Sequence, residues 1–286
     1  MKIAILSGKG GTGKTTVSTN LAQIMRLNYV DCDVEEPNGY IFLKPVIQKT
    51  EEVFIPVPLI DSDVCTLCGK CADSCQFNAL ARTMSNVLFF EELCHGCGAC
   101  TIVCPALAIE EVNRPIGNIS TGEYESLNFM DGKLNIKEPM AGPIISKLKK
   151  SIPEGIDTII DCAPGTSCNV VKALEDTDYA ILVTEPTKFG LHDLKLAVKL
   201  VRNMQIPFGI IINRSDETVN MIKVYCETET IDLIGEIPFS RRVAEMYSNG
   251  LLLTKDLEFG KIFHEIASNL RNLIDSEVEQ AGDACK

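Results

Sequence analysis

Short unbroken apolar runs alternate along this chain with stretches whose apolar positions recur every three or four residues. The runs predict buried strands over 1–7, 28–33, 156–160, 179–184, 208–212 and 231–237. The periodic stretches predict helices over 15–26, 141–150, 191–204, 241–248 and 261–274. Strand followed by helix, repeated, predicts an α/β fold: a mostly parallel sheet with helices on both faces. Ligands of such sheets bind at the C-terminal ends of the strands. Three segments depart from the alternation. Residues 52–58 alternate as an edge strand does, with Pro56 and Pro58 closing it. Residues 113–123, with Arg114-Pro115, Gly117 and Gly122, read as a linker loop. Asp131-Gly132, between 126–130 and 133–136, reads as a hairpin turn.

The first strand-to-helix junction carries Ser7-Gly8-Lys9-Gly10-Gly11-Thr12-Gly13-Lys14-Thr15-Thr16. Strand, glycine-rich turn and helix form the context of a P-loop. The glycines let backbone N–H groups turn inward around phosphate, and the helix N-terminus adds partial positive charge. Gly8 to Thr16 are therefore the expected nucleotide-binding residues. Lys14 would reach the β- and γ-phosphates, and Thr15 would place its hydroxyl on Mg²⁺.

Lys9 adds to this motif. Lys-Gly-Gly-Thr-Gly-Lys-Thr resembles the deviant Walker A of the MinD/ParA superfamily of P-loop ATPases. The resemblance implies an ATP-dependent homodimer, or a heterodimer with a related ATPase, in which Lys9 crosses to the partner's nucleotide. There a cation meets charge building on the transferring phosphoryl group. Asp31-Cys32-Asp33 resembles the second acidic motif of that superfamily. By resemblance Asp33 would orient or activate the attacking water, and Asp31 would lie near the Mg²⁺ shell. Asp161 stands at the Walker B position, and Ala163-Pro164-Gly165 resembles the switch that senses the γ-phosphate. Lys9, Lys14, Asp33 and Asp161 are the expected catalytic set. Asn213 would read the adenine edge, and Pro238 would lie where relatives pack the base.

The chain has 13 cysteines. Cys65, Cys68, Cys71 and Cys75 follow C-x2-C-x2-C-x3-C, and Cys94, Cys97, Cys100 and Cys104 repeat it before Pro105. This is the spacing of bacterial two-cluster ferredoxins. The resemblance implies one [4Fe–4S] cluster on Cys65, Cys68, Cys71 and Cys104, and another on Cys94, Cys97, Cys100 and Cys75. Ala79-Leu80-Ala81 and Ala106-Leu107-Ala108-Ile109 would pack between them. Gln76 stands where the family places proline. Zinc is the rival ligand of Cys-x2-Cys pairs. The expected organisation is an ATPase domain over 1–59 and 113–286, interrupted by an α+β ferredoxin-like domain over 60–112. Five cysteines remain, Cys32, Cys162, Cys168, Cys226 and Cys285, of which Cys32 and Cys226 read as small core or surface residues rather than ligands. Cys168 lies at the offset from Asp161 at which the nitrogenase iron protein places a cluster-binding cysteine.

Net charge is −12 and the pI about 4.8. An acidic surface repels phosphate backbones and anionic lipids, so neither nucleic acid nor membrane is an expected partner. Without a secretory pattern or an apolar run of spanning length, a cytoplasmic location is expected. Two functions fit. In one, an ATP-gated dimer moves electrons between its clusters and a client redox or metalloprotein. In the other, ATP drives assembly of a metal or iron–sulfur cofactor. A role in spatial organisation is weaker, because the acidic surface disfavours its DNA and membrane forms.

Overall fold

The computed structural model describes residues 1–216 and 221–284. Strand β1 (Lys2–Leu6) runs into the glycine turn and helix α1 (Lys14–Met25). Strand β2 (Asn28–Asp31) and a short helix α2 (Gly39–Leu43) follow. Strand β3 (Val46–Ile60) then leads away into an excursion. It holds α3 (Lys70–Asp73), a small antiparallel pair β4 (Leu80–Arg82) and β5 (Val87–Phe89), and α4 (Ala99–Ile102). The chain returns on β6 (Ile109–Tyr124) and turns into β7 (Leu127–Leu134). Alternation resumes with α5 (Gly142–Ser151), β8 (Thr158–Asp161), α6 (Cys168–Leu174), β9 (Tyr179–Thr184) and α7 (Lys188–Asn203). It closes with β10 (Phe208–Ser215), α8 (Met221–Glu229), β11 (Leu233–Pro238), α9 (Arg241–Ser248) and α10 (Leu257–Ala284).

The main sheet has the order β11-β10-β9-β1-β8-β2-β7-β6-β3. From β11 to β7 every pairing is parallel; β6 and β3 add an antiparallel ribbon at the β7 edge. Side chains alternate across the sheet, so each face has its own core. Ala4 and Leu6 of β1 join the core that includes Ile144 and Leu148 of α5, Val170 of α6 and Leu194 of α7. Ile3 and Ile5 face the other way, toward Leu21 of α1 and Phe263 of α10. Among the described residues no helix is long and apolar enough to cross a membrane.

The segment expected to be a linker is instead a long strand. Residues 113–123 lie within β6, paired to β3 from Glu123↔Val46 to Ile109↔Ile60. Its turn-forming residues serve close packing. Pro115 sits beside a register irregularity that a proline tolerates. A Cβ at Gly122 would lie 2.3 Å from the Val46 carbonyl oxygen. On β3, Pro56 and Pro58 do not close the strand, because an outer-edge strand can spare their missing N–H groups. The hairpin turn lies at Glu125 and Ser126, with φ 44° and 68°, in place of Asp131-Gly132. Gly132 is inside β7, where a Cβ would press on Ile144, Val34 and Leu148. Helices α6 and α8 are short, and the apolar periodicity did not reveal them. Cys285 lies outside the described residues.

Candidate functional site

The glycine turn follows β1 at the C-terminal end of the parallel sheet, with Gly11 and Gly13 at φ 80° and 90°. Gly8 packs so closely on α7 that a Cβ would lie 2.4 Å from the Asp193 carbonyl oxygen. Asn213 Nδ2 donates to the Thr12 carbonyl at 2.7 Å, tying the turn to the end of β10. The Ala163-Pro164-Gly165 segment is tied in as well, by the Gly165 N–H donating to Ser7 O at 2.8 Å.

Lys14 is buried at the start of α1, and its Nζ donates to Asp161 Oδ1 at 2.7 Å. Asp33 Oδ2 lies 3.7 Å from the same ammonium. Burial works against the Lys14 charge, but Asp161, Asp33 and Asp31 outweigh it and hold its pKa above the ordinary value. Burial pushes Asp33 up to about 6 against the opposing pull of Lys14. Asp31 is buried and accepts the N–H groups of Asp33, Asn38 and Gly39 at 3.0, 3.1 and 3.0 Å. Burial and Asp161 raise its pKa. The oxygens of Asp31 thereby brace the loop that carries Asp33. Asp161 Oδ2 accepts the hydroxyls of Tyr29 and Ser18, both at 2.9 Å. Thr15 is buried one residue after Lys14.

Beside the turn is a cavity of about 350 Å³, lined by Gly11, Gly13, Thr16, Asn213, Pro238, Phe239 and Tyr247 among others. It brings the expected base-contacting residues Asn213 and Pro238 together against the glycines. Lys9 Nζ lies 3.2 Å from Glu185 Oε2, and Arg214 pairs with Glu185 Oε1. Tyr29, Ser18, Glu185 and Arg214 are parts of the site that the motifs do not name. Glu185, immediately after a buried strand at its C-terminal end, carried a usable signal. Tyr29, inside an apolar run, carried none.

The excursion repeats its backbone at an offset of 29 residues, as the cysteine spacing does. Positive φ recurs at Leu67 and Gly96, Gly69 and Gly98, and Asn78 and Leu107. The N–H of Ala79 donates to Cys75 Sγ, and that of Ala108 to Cys104 Sγ, both at 3.3 Å. One hollow is lined by Cys65, Cys68, Cys71 and Cys104. The other is lined by Cys75, Cys94, Cys97 and Cys100, with Phe77 and His95 stacked on its wall, ring centroids 3.7 Å apart. Among the described residues no three Cys, His, Asp or Glu side chains converge on a point that could hold one metal ion. Burial raises the Cys71, Cys94 and Cys100 thiols. Ala79 and Leu80 line one hollow and Ala106 and Ala108 the other, but Leu107 is 84% exposed and packs between nothing. Arg114 of β6 holds Glu138, beyond β7, through two N–H groups, and its Nε lies 3.5 Å from Glu91, three residues before Cys94. Cys32, Cys162 and Cys226 are buried; Cys168, at the start of α6, is exposed.

The sequence profile of the CobQ/CobB/MinD/ParA nucleotide binding domain matches residues 3–253. An uncharacterised protein of Methanocaldococcus jannaschii is 34% identical over 278 residues, 94% of this chain and 97% of its own. An iron–sulfur cluster carrier protein of Pyrococcus abyssi is 26% identical over 307 residues, covering 100% of this chain and 89% of its own. The septum site-determining protein MinD of Pyrococcus horikoshii, solved with Mg-ADP, superposes with a TM-score of 0.58 at 19% identity, over 94% of this chain and 95% of its own. That likeness is one of fold.

Proposed function

This chain belongs to the CobQ/CobB/MinD/ParA nucleotide-binding family, and from that premise we propose that it is an ATP-hydrolysing iron–sulfur protein whose nucleotide state gates electron exchange with a client protein. The observation that carries this reading is the pair of hollows, each lined by four cysteines drawn from both repeats. Four cysteines lining each hollow, with backbone N–H groups turned to Cys75 and Cys104, suit a cubane, whose four irons take one thiolate each. [4Fe–4S] clusters bound there would supply one-electron transfer at low potential. Four protein thiolates for each cluster leave no coordination position for a recipient, which favours resident clusters over cargo.

The excursion hangs on β3 and β6, whose ladder is continuous with the main sheet, and Arg114 clamps its base. A dimer closing over nucleotide would therefore carry the clusters with the sheet. Electron exchange would follow the population of the closed state. Lys14 and the turn would hold the phosphates, Thr15 and Asp161 the Mg²⁺ shell, Asp33 the attacking water, and Lys9 the partner's nucleotide. The dimer would be of identical chains or of two related ones.

A second reading, ATP-dependent assembly or delivery of a cofactor, is favoured by relatives named iron–sulfur cluster carrier proteins that match nearly the whole chain. One experiment separates the two. Reduced, reconstituted protein is mixed with a redox dye or with an apo-ferredoxin, with and without ATP. Electron gating expects ATP-dependent dye reduction with iron retained. Iron moving to the apo-protein would favour delivery instead.

A further inference from the structure

The two oxygens of Asp161 are held differently. Lys14 Nζ donates to Oδ1, and the hydroxyls of Tyr29 and Ser18 converge on Oδ2. Asp161 is 0% exposed and Tyr29 is 2% exposed. We propose that Tyr29 is a positioning residue of the Mg²⁺–nucleotide site: its hydroxyl fixes Asp161 Oδ2, so that Oδ1 is the oxygen presented to the metal shell once Lys14 moves to the phosphates. This rests on the nucleotide function proposed above.

The need for such a group follows from the ion pair. Lys14 neutralises a fully buried carboxylate, and phosphate draws that cation away. A buried carboxylate stripped of its partner must be held by hydrogen bonds or take up a proton. Hydroxyl donors to an ionised acceptor are the strong kind. Ser18 alone cannot serve. Its Oγ also lies 3.1 Å from the Thr15 carbonyl and in contact with the Tyr29 hydroxyl, and a serine has a single proton to give. Tyr29 directs its own proton to Asp161. A phenol keeps its proton at neutral pH, so it remains a donor.

The ring is locked in place. It stacks on Phe129 of β7 with centroids 5.7 Å apart and planes within 14°. Gly39 closes over it, since a Cβ there would lie 2.4 Å from both Cε1 and the hydroxyl. Asp31 in turn holds the Gly39 N–H. Tyr29 thus joins the Asp161 carboxylate to the loop that carries Asp33, and rigid support of this kind sets a first-contact residue to better than a rotamer's freedom.

The test is Tyr29→Phe in the full chain, which keeps the ring and removes the hydroxyl. Binding of a fluorescent ATP analogue is measured in EDTA and then across a Mg²⁺ titration, and Mn²⁺ binding to the protein–nucleotide complex is followed by EPR. The Mg²⁺ half-saturation should rise about tenfold, as for loss of a hydrogen bond to a charged group. Binding in EDTA should weaken by less, because without metal the stripped carboxylate can take up a proton, and the melting temperature should fall only by the few degrees that one lost hydrogen bond costs. Ser18→Ala should give a smaller rise. An unchanged metal dependence in Tyr29→Phe overturns the proposal, and so does an equal loss of affinity in EDTA, which marks a packing role. If the native protein binds no nucleotide in either condition, the nucleotide function itself falls, and this proposal with it.

Discussion

Lys9 is paired with Glu185 of its own chain, and Glu185 is shared with Arg214. One carboxylate, only 7% exposed, therefore carries two cations. If Lys9 departs, Arg214 still neutralises Glu185, so the cost of releasing Lys9 is small. The geometry makes Lys9 available to a second subunit without leaving a buried charge behind.

Glu185→Gln should loosen Lys9 and let the proposed ATP-dependent dimer form at lower protein concentration. Lys9 is partly exposed, so the gain should be about two- to fivefold, the range of a solvent-screened pair. Lys9→Ala should leave ATP binding largely intact and lower hydrolysis by about 10³-fold, the lower end for a charge-stabilising finger. Sedimentation and single-turnover hydrolysis read the two effects. Hydrolysis at the native rate in Lys9→Ala would end the trans-acting role of Lys9.

Removing Lys14 should affect more than nucleotide affinity. Among the described residues Lys14 is the cation paired with buried Asp161, so Lys14→Met should cost about 3–5 kcal/mol, as when one partner of a buried pair is lost. Urea unfolding should show that loss. Lys14→Met combined with Asp161→Asn should recover part of the stability and none of the ATP binding. A single variant as stable as the native chain would mean that Asp161 finds its charge compensation elsewhere.

The motifs were legible because they are local: a glycine turn and two cysteine runs need no knowledge of distant strands. What the sequence hid is long-range. Pro115, Gly117 and Gly122 read as loop-formers, and only the pairing of β6 with β3 and β7 shows them as points of close approach between strands. The bonds Asp31 makes to the backbone of its own loop were equally hidden, because an Asp-x-Asp motif does not say which oxygen meets backbone. Tyr29 was hidden by its own apolar strand, where an aromatic residue is unremarked until its hydroxyl has a partner.

Burial places the Asp33 carboxyl at about 6, above its ordinary 3.8. The folded protein then binds this proton more tightly than the unfolded chain does. The contribution to stability is fully present below about pH 4 and is lost as pH rises through about 6. Asp31 shifts in the same direction. Lys14 stays charged throughout this window and adds no slope. Unfolding midpoints in urea should therefore fall between pH 4.5 and 7, and Asp33→Asn should flatten the fall. Hydrolysis should run the other way, rising through pH 6 as Asp33 ionises. A hydrolysis profile that keeps its acid limb in Asp33→Asn would assign that limb to another group.

Cys75 belongs to the first cysteine run in sequence and to the second hollow in space. Cys104 is exchanged in the opposite sense. Anaerobic reconstitution of the native protein should give about eight iron atoms per chain, four in each cubane. Cys75→Ser should remove the signal of the cluster bounded by Cys94, Cys97 and Cys100 and leave the other intact; Cys104→Ser should do the reverse. Linear pairing, with each run holding its own cluster, predicts the opposite assignment. To tell the hollows apart, Cys97→Ser and Cys68→Ser supply reference spectra, because those residues lie in the same hollow under either scheme. The spectrum of Cys75→Ser should match that of Cys97→Ser. A match to Cys68→Ser would refute the exchanged ligation, and zinc without iron absorbance in the native protein would refute the clusters altogether.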